Sequence, residues 1–174
     1  VTVTTDLDAR AYFCALWVQN EIYNKKLLIP VRIAIVAVLL LISFALLPFR
    51  EARAWVIRAV VCAVVLVAHS FYAKRTRKRV FSRAAEQTIA RGGGPVRLEY
   101  RFGDEGFSMK KSGEPAQETA YRDVTGLCET GDVLLLLIGR QTIHALHKSD
   151  VADLPALAAL LEEKTGCRRQ SFAL

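Results

Sequence analysis

The chain has 174 residues, 52% of them hydrophobic, and a formal net charge of +7. That length leaves room for one small folded domain beside any membrane segment, and not for two. The charge points away from nucleic acid: residues 96–174 carry 10 basic and 12 acidic side chains, net −2, while residues 73–95 carry 7 basic side chains against Glu86, net +6. A nucleic-acid reader would hold its basic excess on the folded part.

Residues 1–26 are electrically neutral, with Arg10, Lys25 and Lys26 against Asp6, Asp8 and Glu21. Val1-Thr2-Val3-Thr4 alternates as a short strand. Thr5 followed by Asp8 has the spacing of a helix N-cap, with acids early in the first turn. From Asp6 to about Asn24 the positions Leu7, Ala11, Cys14, Ala15, Val18 and Ile22 form one stripe at helical spacing. Tyr12, Phe13, Leu16 and Trp17 widen it, so this helix should pack on a membrane surface, on the C-terminal domain or on a partner.

Residues 27–49 and 54–72 are apolar runs, separated by Arg50-Glu51-Ala52-Arg53. A membrane span needs roughly 17–25 mostly apolar residues, and its backbone must pair within the segment. The pattern predicts a two-helix transmembrane hairpin. Pro30 falls in a first helical turn, where a missing N–H costs little. Arg32 and Arg58 stand near span ends and should snorkel to the headgroups. Trp55 and Tyr72 fit aromatic belts at opposite interfaces, with His69 one turn inside Tyr72. The late start of the first run and the acids before it argue against a cleaved signal. The cysteines, Cys14, Cys62, Cys128 and Cys167, form no CxxC pair and are expected to be reduced.

Lys25 and Lys26 flank the first run; Lys74, Arg75, Arg77, Lys78 and Arg79 flank the second. Basic residues near span ends are retained on the cytoplasmic side, so both termini are expected to be cytoplasmic. The same residues could attract anionic lipid headgroups, a second partner beside the bilayer. No helix breaker follows Tyr72 until Gly92-Gly93-Gly94-Pro95, so the second helix should continue to about Ala90 as a basic juxtamembrane segment covering residues 73–95.

From Val96 the period becomes two. Val96, Leu98, Tyr100 and Phe102 alternate with Arg97, Glu99 and Arg101, the mark of a half-buried strand. Gly103-Asp104-Glu105-Gly106 and Ser112-Gly113-Glu114-Pro115 predict turns, with a returning strand from Phe107 to Lys111 between them. Further strands are expected around residues 118–121, 124–129, 133–138 and 141–147. Asp153 as cap, Pro155 in the first turn, Leu154, Leu157, Leu160 and Leu161 on one face and Gly166 as stop predict a C-terminal helix. The class is α+β: an antiparallel meander closed by one helix, of the pleckstrin-homology-like type, over residues 96–174.

This order of elements resembles the bacterial YcxB-like family along nearly the whole chain. The local likeness lies in Tyr100-Arg101-Phe102-Gly103-Asp104-Glu105-Gly106, in Tyr121-Arg122-Asp123-Val124 and in Ile143-His144-Ala145-Leu146-His147-Lys148. Tyr121 stands where the family pattern has Trp, and His147 where it has Pro. The resemblance implies that the N-terminal strand and helix dock on the C-terminal sheet. It implies no catalytic residues.

Chemistry-bearing patterns are sparse. His144 and His147 are three apart on a strand and should face opposite ways, so they cannot easily share a metal. The glycines before Pro95 lack the strand and the GK[ST] of a phosphate loop, and no nucleophile elbow is present. The expectation is a non-enzymatic protein with no cofactor or metal, presenting its domain to an unidentified protein partner; the alternatives are a reader of lipid headgroups and a membrane regulator or immunity-type protein that acts through its hairpin. The contact sites would be the sheet edges or the turns over residues 103–106 and 112–115, with Asp104, Glu105, Lys110 and Lys111 as candidate contact residues.

Overall fold

The computed structural model describes residues 1–24, 28–46, 52–139 and 142–173. They fall into two compact units: Val1–Asn20 with Phe81–Leu174, and Glu21–Val80. The first is an α+β body with antiparallel sheets and a C-terminal helix. One sheet has the order β1-β2-β3-β4, from Thr2–Leu7, Val96–Phe102, Gly106–Lys111 and Gln117–Ala120. The other has the order β7-β6-β5-β8, from Thr142–His147, Val133–Ile138, Val124–Glu129 and Arg169–Ser171. Neighbours are antiparallel except β5 and β8, which run parallel.

The N-terminal strand belongs to the C-terminal sheet. Strand β1 pairs with β2 from Thr2 opposite Arg101 to Leu7 opposite Val96. The threonine expected to cap the first helix lies inside this strand instead. Its hydroxyl is buried, donates to Asp150 Oδ2 at 2.7 Å and accepts the His147 N–H at 3.1 Å, joining the two sheets along one side. The cap is Asp8, whose Oδ1 accepts the Ala11 N–H at 2.7 Å. A β-ladder and a cap compete for the same backbone, and here the ladder claims Thr5.

Helix α1, Ala9–Gln19, buries Ala11, Cys14, Trp17 and Val18. It lies on β6 and β7. This explains the unbroken apolar run of β6: Leu134 and Leu136 enter the core between the sheets, while Val133, Leu135 and Leu137 are buried outside that cluster, on the face α1 covers. A strand buried on both faces loses its polar alternation. Beyond Gln19 the chain makes a π-helical turn over Asn20–Asn24, and Ile22 is exposed rather than part of the stripe. Trp17 meets Phe81 edge-on at 6.4 Å.

The core between the sheets is built on Tyr100, Phe102, Phe107, Leu127, Leu136 and Leu146, closed by Leu157 and Leu161 of α4, Leu154–Thr165. Asp153 accepts the Ala156 N–H at 3.0 Å, a proline stands in the first turn, and Gly166 ends the helix at φ 68°, a left-handed conformation that favours glycine. The expected single meander is thus split in two, and β8 is an addition that the sequence did not announce.

The second unit is helical. Helix α2 spans Leu28–Leu46 and α3 spans Ala52–Arg91, so the helix does run on past Tyr72 to the glycines. By length and composition, one helix among the described residues, over Trp55–Arg91, is long and apolar enough to cross a membrane; the apolar helix over Ile29–Ile42 is shorter. Pro30 sits in the first turn of α2, as expected. Arg58 differs from expectation: it is buried, its guanidinium 4.9 Å from the centre of the Trp55 ring. Lys25 and Lys26, and Arg50 and Glu51 of the expected turn, lie outside the described residues.

Candidate interaction surface

The first sheet follows the half-buried rule: Leu98, Tyr100, Phe102 and Phe107 point inward, and Glu99, Arg101, Ser108 and Glu118 line its outer face. On that face Arg101 is held by Glu99 at 2.9 Å; Lys111, at the strand end and opposite Leu98, pairs with Glu114 at 2.5 Å. Lys110 is exposed. Asp104 and Glu105 are exposed at the tip of the β2–β3 turn, which closes with the Gly103 N–H on Gly106 O at 2.9 Å.

Tyr121 makes this turn rigid. Its buried ring packs on Phe107, its hydroxyl donates to Gly103 O at 3.0 Å, and its N–H donates to Glu105 O at 3.1 Å. Burial, helped by the Asp104 charge, pushes the Tyr121 phenol up, so it stays a donor. A side chain at position 106 would collide with the next strand: a Cβ there would lie 2.3 Å from Thr119 O. Between the turn and β4 lies a groove of about 470 Å³, lined by Asp104, Glu105, Ser108 and Glu118 among others.

The Tyr121 bond also fixes the phase of the β3–β4 ladder. Gly106 opposite Ala120 becomes a non-hydrogen-bonded pair and Phe107 opposite Thr119 a hydrogen-bonded one. Thr119 spends its N–H and C=O on β3. Glu118 directs both of its groups, and Ala120 its N–H, to the open side, because β4 is the edge of its sheet; the Ala120 C=O opens the 3-10 turn over Tyr121–Asp123.

The basic residues after the second apolar run lie on α3. Lys74, Arg75, Lys78 and Arg79 are exposed, and Arg77 turns its Nε back to Ala73 O at 3.3 Å. Positions four apart stack along a helix, so Lys74 with Lys78 and Arg75 with Arg79 make two adjacent basic rows. None of the four has an acidic partner among the described residues. In the same unit, Ile33, Val36, Leu40 and Leu66 line an apolar groove of about 490 Å³ that Arg32 and Ser70 also border.

The two histidines face opposite ways. His144 is buried, its Nδ1 is 3.2 Å from the Tyr100 hydroxyl and its ring stands edge-on to Phe107. Burial lowers its pKa and drives the Tyr100 phenol far above its usual range, so the pair is neutral, with the phenol donating. His147 instead reaches the capping carboxylate of Asp8 at 3.1 Å. Among the described residues no group of three or more His, Cys, Asp or Glu side chains could hold a metal ion. Burial pushes the Cys128 thiol up to about 11 and raises that of Cys14, which keeps both protonated at neutral pH.

Of the residues singled out from sequence, Asp104 and Glu105 come together at one groove. Lys110 and Lys111 belong to the neighbouring strand end, and the basic residues of α3 form a separate patch. Glu118 and Ala120 were missed: a weak four-residue strand gives no sign of being an edge. No family model matches the chain, and no curated protein matches it. A solved structure, that of the Spt16D Pob3N heterodimer, is similar at 13% identity and a TM-score of 0.36. The likeness covers 45% of this chain and 46% of that one, so the chain spans less than half the length of the relative it matches.

Proposed function

We propose that the chain is a non-enzymatic, YcxB-like protein of the bacterial inner membrane, anchored by a two-helix hairpin with both termini cytoplasmic, and that its pleckstrin-homology-like domain binds a protein partner. One observation carries this reading. The helices between Glu21 and Val80 expose many large apolar side chains, Leu41 and Val67 at 70% and Phe71 at 71%, while the α+β unit buries most of its own. Water does not tolerate so much contiguous apolar surface on a monomer, and a bilayer does. Tethering holds the domain at high effective concentration near membrane partners, so a modest surface is enough for binding.

The exposed rows Lys74–Lys78 and Arg75–Arg79 favour a second role, attraction to anionic headgroups, worth about 1 kcal/mol per basic residue near the surface. Alkaline extraction of membranes from cells expressing the chain tests the anchor. Retention in the lipid pellet is expected; release into the supernatant would sink the reading. Flotation of the full chain with neutral and anionic vesicles tests the second role. A preference for anionic vesicles should vanish when Lys74, Arg75, Lys78 and Arg79 are all changed to Gln.

A further inference from the structure

We infer that the outer edge of β4 is a strand-docking site whose occupant is an extended, lysine- or arginine-bearing segment of a protein partner. The inference rests on the binding reading above and names the class of partner. Two features coincide at this edge. The first is backbone: Glu118 aims its N–H and C=O outward and Ala120 its N–H, the Ala120 C=O being taken up by the 3-10 turn over Tyr121–Asp123, and among the described residues no strand pairs with this side of β4. Unpaired edge groups are a template for an incoming strand. At the sheet's other edge β1 packs beside β7 and is tied to the second sheet through Thr5, Asp150 and His147.

The second feature is charge. Asp104, Glu105 and Glu118 stand around the adjoining groove, and its one basic side chain, Arg101, is already held by Glu99. Three carboxylates without a basic partner among the described residues set the sign of the occupant. They lie beside the edge, so a strand added to β4 presents alternate side chains to them. The turn that carries Asp104 and Glu105 is pinned by Tyr121, so the acids are held in place before anything binds.

The test uses the full chain in neutral detergent micelles and fluorescein-labelled decapeptides, read by anisotropy. One probe alternates lysine with valine and the other alternates glutamate with valine. Ala120→Pro is the decisive variant. Ala120 already has φ −75°, which proline adopts, so the change removes one outward N–H while keeping the backbone path. Binding of the lysine probe should weaken at least 10-fold in Ala120→Pro. It should weaken by a similar factor, with reduced salt dependence, in Glu118→Gln, an exposed change that places no demand on folding. Changing Lys74, Arg75, Lys78 and Arg79 to Gln should leave it unaltered.

Equal binding by wild type and Ala120→Pro overturns the edge as the site. Equal binding of both probes overturns the charge class, and binding of neither overturns the proposal outright. Failure here leaves membrane retention untouched, whereas release on alkaline extraction would remove the reading on which the inference rests.

Discussion

Tyr100 and His144 show how a buried polar pair fixes the core. The phenol donates to Nδ1 inside a cluster of Phe102 and Phe107, where an unmatched polar atom costs about 1–3 kcal/mol. Tyr100→Phe should therefore lower stability by about that amount, read as a lower urea midpoint with an unchanged slope. The pair also gives stability a pH dependence. His144 titrates below its usual 6.5 when folded, so the unfolded chain takes up the proton first. Stability should be full above pH 6.5 and fall as the pH drops through that value. A urea midpoint that stays flat from pH 7.5 to 5.5 would contradict the assignment. His144 and His147 could be told apart from sequence, because strand alternation alone separates them. That Tyr100 would be the partner of His144 could not, since the two meet across sheets 44 residues apart.

Among the elements, the legible ones carry their own punctuation. Strand β2 alternates, the C-terminal helix has its aspartate, proline and glycine, and the β2–β3 turn has glycine at both ends. The less legible ones depend on neighbours. Arg169-Gln170-Ser171 has no apolar pattern; it becomes β8 because it pairs with Leu127, Cys128 and Glu129, with Arg169 reaching Glu129 at 3.3 Å. Thr5 looked like a cap because its spacing to Asp8 is local, whereas the ladder to β2 is not. The site was half legible for the same reason: the glycines gave the acidic turn, but the open edge follows from strand order.

Helix α3 belongs to this scale too. Its 40 residues measure about 60 Å, twice the roughly 30 Å of a hydrocarbon core, so the basic half is expected to extend beyond the bilayer. Val64, exposed in the apolar half, is the position to probe. Val64→Arg should raise the cost of insertion by about 2.5–3.5 kcal/mol and lower the inserted fraction in a membrane-insertion assay. An unchanged fraction would contradict a span there.

For the molecule as a whole, the first 20 residues and the last 94 are one folding unit, although the apolar helices separate them in sequence. Deleting residues 1–20 takes away β1, which pairs with β2, and α1, which covers Val133, Leu135 and Leu137. The deleted chain should be degraded by limited proteolysis under conditions in which the full chain is stable, and a resistant C-terminal core of unchanged mobility would refute the shared unit. The same arrangement explains the amphipathic character of residues 9–19: their apolar face meets a sheet and needs neither a lipid surface nor a partner.

The central claim, a hairpin anchor with the domain on the cytoplasmic side, is tested most directly by labelling with a membrane-impermeant maleimide. Arg53→Cys and Ser112→Cys would each be placed in a chain whose four native cysteines are changed to Ser and expressed in bacterial spheroplasts. The account predicts that the cysteine at position 53 is labelled in intact spheroplasts and that the one at 112 is labelled only after permeabilisation. Labelling of both positions from the outside, or of neither, would contradict it.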